Sequence, residues 1–85
     1  MSINIKASTD GTQAIIGVGG FDQMTVNNNG HIILSNGSII ASGTSSPENV
    51  VIAPVGSIYT NTSGSTLTTL YIKTSGSGNT GWTAK

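Results

Sequence analysis

The chain of 85 residues has no cysteine, no arginine and few charged residues of either sign. It contains three lysines, two aspartates and one glutamate. Without cysteine, disulfides and thiolate metal sites are excluded. Charged residues make up 7% of the chain, whereas they make up about 25% of an ordinary soluble domain. Since the net charge is zero, we expect neither nucleic acid nor an anionic membrane as a partner. So few ionisable groups also argue against an enzyme.

Long apolar runs are missing as well. The longest nearly apolar stretch, Val50–Val55, is far shorter than the roughly 20 residues that span a bilayer, so no membrane insertion is expected. The first residues, Met1–Lys6, lack the charged and then apolar segments of a secretory signal. We therefore expect the protein to be made in a cytoplasm and not exported by a signal peptide.

The residues that are abundant favour β structure. Gly, Ser, Thr and Asn account for 44 positions, and Ile and Val together number 16 while Leu numbers three. Branching at Cβ disfavours helices and suits the surface of a sheet. The composition therefore predicts an all-β fold of short antiparallel strands and hairpins.

Turn residues divide the chain into short alternating or apolar segments. Asp10-Gly11 and Asn36-Gly37 are typical hairpin turns. The expected organisation is a single small β domain over 1–85, in which a loop at 43–49 separates an N-terminal β segment (1–42) from a C-terminal β-hairpin module (50–85). The predicted strands are Ser2–Ala7, Gln13–Val18, Gln23–Val26, His31–Ser35, Ser38–Ser42, Val50–Ala53, Ser57–Asn61, Thr69–Thr74 and Gly81–Ala84.

Several predicted strands carry apolar side chains at adjacent positions, which would place one on each face of a sheet. So short a chain has few elements with which to cover two faces. We therefore expect identical chains to provide the cover in a homo-oligomer, and a charge at Ile33 or Ile40 to prevent assembly. A small sandwich that leaves some isoleucines exposed is the alternative. The residues expected in the oligomer core are Ile15, Ile16, Ile32, Ile33, Leu34, Ile39 and Ile40.

No motif in the sequence indicates a specific chemical activity. Gly76–Gly81 matches G-x-G-x-x-G, but too few residues follow it to form the helix that a dinucleotide site needs. His31 lacks the partners of a metal site or a general base. The three carboxylates are far apart in sequence, so a hydrolase built on two of them stays a remote alternative. We predict no catalytic, metal or cofactor site.

Three of the four aromatic residues, Tyr59, Tyr71 and Trp82, fall in the last three predicted strands. On a polar β surface such rings could stack on sugar faces and bind a host glycan. The alternative, which we favour, is that they form the small core of the C-terminal hairpins, where large rings supply much of the burial.

The last third of the chain combines the motifs Pro54-Val55-Gly56-Ser57-Ile58-Tyr59, Leu70-Tyr71-Ile72-Lys73 and Gly78-Asn79-Thr80-Gly81-Trp82. Together, over residues 53–85, they closely resemble a module of tailed-phage virion proteins of the tail-fibre, tailspike and head-fibre type. The segment 10–32, from Asp10-Gly11-Thr12 to Gly30-His31-Ile32, is more loosely similar to the repetitive β segments of the same proteins.

The resemblance implies a trimeric β structure on a virion surface, and it brings no catalytic motif or cofactor. Fibres are usually hundreds of residues long, so the short chain favours a small stand-alone component, such as a capsid decoration protein or a short fibre or spike of head or tail. The expected partners are two further copies of the chain, other virion proteins of capsid or tail and, in the alternative reading, a host surface glycan. The expected location is the virion, after synthesis in the cytoplasm of a host bacterium.

Overall fold

A computed structural model describes residues 3–85, and side chains from residue 5 onward. The all-β prediction is confirmed, because these residues form eight strands in one sheet and no helix. Ser2, which the first predicted strand includes, lies outside the described residues. The strands are β1 (Ile3–Ala7), β2 (Gln13–Val18), β3 (Phe21–Asn27), β4 (Ile32–Leu34), β5 (Ile39–Gly43), β6 (Ile58–Asn61), β7 (Leu70–Lys73) and β8 (Trp82–Ala84).

The strands lie side by side in the order in which they occur in the chain. The molecule is therefore elongated, with dimensions of 43 × 21 × 21 Å. Neighbouring strands are spaced by about 4.8 Å, so the stacking of eight strands accounts for most of the long dimension. The long axis of the protein thus runs across the strands.

Tight turns join the first five strands into antiparallel hairpins. In the turn between β4 and β5, Gly37 has a φ of +94°, a conformation that costs glycine little. The preceding Asn36 fixes this turn, because its side-chain Oδ1 accepts the backbone N–H of Ser38 over 3.2 Å. The Asn36-Gly37 pair therefore acts as the hairpin turn that its sequence predicts.

The connection between β5 and β6 departs from the predicted pattern of antiparallel strands. These two strands are parallel, with Ile40 opposite Ile58 and Ala41 opposite Tyr59. A parallel pair needs a crossover of about a dozen residues or more, and residues 44–57 supply it. The prediction was wrong here because nothing local in the sequence fixes the direction in which a long loop returns.

The predicted strand Val50–Ala53 is also wrong, since this segment pairs with no strand among the described residues. The N–H groups of Val50 and Val51 both donate to the carbonyl of Pro47, over 3.0 and 2.9 Å, and that of Ala53 donates to the carbonyl of Gly78 over 3.2 Å. The apolar side chains of this segment therefore help to cover the core. Val51 and Ala53 pack into it, while Val50 and Ile52 point outward.

The hydrophobic core of the described chain lies between β5–β8 and the crossover, from Ile39 to Trp82. Its buried members, to which the partly buried Ile33 adds a contact, are Ile39, Ala41, Val51, Ala53, Tyr59, Tyr71 and Trp82. The crossover of residues 44–57 covers one face of β5–β8 and so creates this interior. Among the residues whose side chains are described, β1–β4 contribute no buried hydrophobic side chain.

Candidate functional site

The three aromatic side chains of the C-terminal strands form the centre of the core. Tyr59 contacts both other rings edge to face, at centroid distances of 6.1 Å to Tyr71 and 6.0 Å to Trp82. Such arrangements place the positive edge of one ring against the negative face of another. All three residues are buried, so the structure places these rings inside the domain and away from a surface on which a sugar could stack.

The polar atoms of two of these rings bind the crossover segment. The Tyr59 hydroxyl donates to the carbonyl of Ser45 over 2.8 Å, and Trp82 Nε1 donates to the carbonyl of Val51 over 3.0 Å. A buried tyrosine or tryptophan needs such partners to offset the loss of water. The rings therefore hold the crossover against the sheet as well as filling the space beneath it.

Glu48 forms a second attachment between the crossover and the end of the chain. Its carboxylate accepts the N–H of Trp82 over 3.0 Å and the N–H of Gly81 over 3.4 Å. The sequence analysis considered Glu48 only as one of three carboxylates that are far apart in sequence, and it missed this role. The partners lie 33 and 34 positions further along the chain, so no local pattern could have indicated it.

Lys73 is the most deeply buried charged residue, with a relative exposure of 0%. Its Nζ donates to the carbonyls of Ser75 and Gly76, over 2.7 and 3.0 Å. These bonds fold the glycine-rich loop between β7 and β8 back over the lysine side chain. The G-x-G-x-x-G stretch is thus a hairpin loop organised around an internal ammonium group, a role that the sequence did not reveal.

The remaining carboxylates belong to separate surface features. Asp10 accepts hydrogen bonds from the hydroxyls of Ser8 and Thr12 and from the Thr12 N–H, which lower the pKa of Asp10 to about 2. Asp22 Oδ1 lies 4.0 Å from Lys6 Nζ, and both side chains are exposed. Such exposed ion pairs contribute about 0–1 kcal/mol to the free energy of unfolding. Within the described residues, His, Asp and Glu form no cluster of three that could hold a metal ion.

His31 lies in a shallow groove between the two halves of the chain. The groove has a volume of about 430 Å³ and is lined by Asn27, Asn29, His31 and Val50–Ile52. Apart from the imidazole, the lining offers amides and aliphatic groups. Among the described residues, this lining brings no carboxylate or hydroxyl group to the imidazole.

The seven residues predicted for an oligomer core divide between the two faces of the sheet. Direct pairing places Ile33 opposite Ile39, and Ile32 opposite Ile40. The odd-numbered members, Ile15, Ile33 and Ile39, lie on the face that the crossover covers further along the sheet. The even-numbered members, Ile16, Ile32, Leu34 and Ile40, lie on the other face, and within one chain none of them is buried.

No protein-family model, no curated protein and no solved structure matches this chain. In residues 3–85, no helix is long and apolar enough to cross a membrane.

Proposed function

We propose that this chain is a non-enzymatic structural protein of a tailed-phage virion, which acts as a homotrimer on the particle surface. In this role it is a capsid decoration protein or a short fibre or spike of the head or tail, in contact with other virion proteins. The motifs of residues 53–85 support the assignment by their resemblance to tail-fibre, tailspike and head-fibre modules.

The observation that carries the proposal is the uneven distribution of buried hydrophobic side chains along the chain. Every buried hydrophobic side chain that is described lies between Ile39 and Trp82, although β1–β4 contain isoleucines at Ile5, Ile15, Ile16, Ile32 and Ile33. A sheet with apolar residues and no covering layer has not completed its core. Neighbouring copies would complete it, as in the trimeric β structures that the motifs resemble.

The polar groups of the chain support a structural role in a second way. Lys73, Glu48 and Asp10 are each engaged in holding a loop or turn through backbone or local side-chain bonds. The remaining surface is rich in uncharged Ser, Thr and Asn. Their hydrogen bonds to a capsid or tail would depend little on salt, because charge screening does not act on them.

Two measurements test this proposal. Native mass spectrometry of the full chain is expected to give three copies, and a single compact copy that melts cooperatively in dilute buffer would contradict it. Antibody or tag labelling of intact particles, viewed by electron microscopy, is expected to mark the virion surface and to distinguish head from tail. Particles without label, from cells that express the protein, would also overturn the proposal.

A further inference from the structure

The pairing register aligns one residue from every strand into a single row across the sheet. Residues directly opposite each other in neighbouring strands point to the same face. This row, called the long row, consists of Ala7, Ala14, Val26, Ile32, Ile40, Ile58, Ile72 and Thr83. A second row on the same face, called the short row, crosses the first four strands and consists of Ile5, Ile16, Met24 and Leu34.

The face that carries both rows, called the open face, has no buried member of either row in the single chain. Ile40 is 42% exposed and Ile58 is 37% exposed, whereas their neighbours Ala41 and Tyr59 on the other face are 3% and 4% exposed. In the single chain, the open face is therefore the side of the sheet that is exposed to solvent. In a sheet that faces water these positions are usually polar, yet here the centre of the long row is entirely β-branched and aliphatic.

Neither row contains an ionisable side chain. The charged residues of the strands lie on the other face: Lys6 is opposite Ile15, Asp22 is opposite Gly17, and Lys73 is opposite Trp82. Absence of charge from these two rows is expected where they are to be dehydrated, because an unpaired charge is costly to bury.

We propose that the open face is the surface through which copies of this chain pack against one another, so that the long rows meet in a shared core. This inference rests on the proposed trimer and adds which face lies inside it. The molecule measures 43 × 21 × 21 Å, so one of its long sides is large enough for a standard interface, which buries about 800 Å² per partner. The occupant must present an apolar, uncharged strip of similar length, and the long row of a second copy is such a strip.

The direction of the long row also determines the angle at which the copies pack against one another. The row runs across all eight strands, and hence along the long axis of the molecule. Copies that crossed at a steep angle would bury only its middle. Copies packed side by side, with their long axes close to the axis of the assembly, cover the row from β1 to β8.

Matched charge substitutions on the two sides of the sheet test this assignment. Ile40→Asp places a carboxylate in the middle of the long row, and Ile52→Asp places one on the crossover, where Ile52 is 70% exposed. By native mass spectrometry across a dilution series, Ile40→Asp is expected to weaken assembly by roughly a hundred-fold or more, since a buried unpaired charge is costly. Ile52→Asp is expected to assemble like the unmodified chain.

Cysteine labelling provides the second measurement, and it does not depend on a disruptive charge. The chain has no cysteine, so Ile40→Cys and Ile52→Cys each introduce a single thiol. In the assembled protein, a maleimide is expected to react at least roughly ten-fold more slowly with the open-face thiol, because a thiol inside a packed interface is reached only through local opening. Equal rates, or full assembly of Ile40→Asp, overturn the face assignment while leaving a trimer intact. A chain that is monomeric without any substitution overturns both this inference and the proposed trimer.

Discussion

The carboxylate of Glu48 accepts the backbone N–H of Trp82 over 3.0 Å, which ties the crossover after β5 to the first residue of β8. Both groups are partly buried, and the same carboxylate also accepts the N–H of Gly81. One side chain therefore satisfies two consecutive backbone donors at the start of the last strand. The same contact holds the crossover over the aromatic core.

Replacement of Glu48 by Ala is expected to lower the free energy of unfolding by about 2–6 kcal/mol, since two partly buried donors would lose their acceptor at about 1–3 kcal/mol each. Glu48→Gln is expected to lose less stability, because its amide oxygen can still accept a hydrogen bond from these backbone N–H groups. Chemical denaturation followed by the fluorescence of Trp82, the chain's one tryptophan, measures both variants. Equal stability of the Ala and Gln variants would contradict this role.

Gly81 is expected to tolerate no side chain. It has a φ of +94°, and a Cβ there would clash with the carbonyl oxygen of Ser75. Gly81→Ala should cost the roughly 1–2 kcal/mol of a left-handed residue together with the displacement of the loop. Gly20→Ala is the control, because Gly20 has a φ of +88° but open space around its Cβ. Thermal unfolding should rank Gly81→Ala as clearly the less stable, and the reverse order would refute the steric argument.

Much of the fold follows from local patterns in the sequence. The alternation of small polar turns with β-branched segments located the strands of the N-terminal hairpins, and Asn36-Gly37 located the turn between β4 and β5. These features are local, because the turn residues set the register of a hairpin by themselves.

The features that the sequence did not predict depend on contacts between distant residues. Val50–Ala53 looks like a strand because its side chains are apolar, yet its backbone donors bond to Pro47 and Gly78. The burial of Lys73 likewise depends on a loop that folds back over it. The division of the predicted oligomer core between two faces emerges only when the pairing of all eight strands is known.

The internal ammonium group of Lys73 is expected to be essential for the loop between β7 and β8. Lys73→Met keeps most of the aliphatic length but leaves the carbonyls of Ser75 and Gly76 without this donor. We expect a loss of about 2 kcal/mol or more in unfolding free energy, because two partly buried hydrogen bonds from a charged donor are lost, each worth about 1.5–3 kcal/mol. Lys6→Met is the control: Lys6 is exposed, and its change in unfolding free energy should stay within about 1 kcal/mol, the most that its exposed ion pair with Asp22 contributes. Comparable losses in the two variants would count against a special role for Lys73.

The turn between β1 and β2 is expected to make stability depend on pH in acid. Hydrogen bonds from Ser8, then from the Thr12 hydroxyl and N–H, lower the pKa of Asp10 to about 2, whereas an unfolded aspartate titrates near about 3.9. Because the folded pKa is the lower one, the unfolded chain binds the proton first as the pH falls. The contribution of Asp10 is therefore complete above about pH 4 and is lost as the pH falls towards 2.

Carboxyl NMR titration and denaturation at several pH values check this expectation. Ser8→Ala removes the first of the hydrogen bonds, so the pKa of Asp10 should rise towards its usual range and the acid dependence should weaken. Asp10→Asn should remove this part of the pH dependence, since the amide does not titrate there. An Asp10 carboxyl that titrates identically with and without the Ser8 hydroxyl would show that the turn does not stabilise the ionised form.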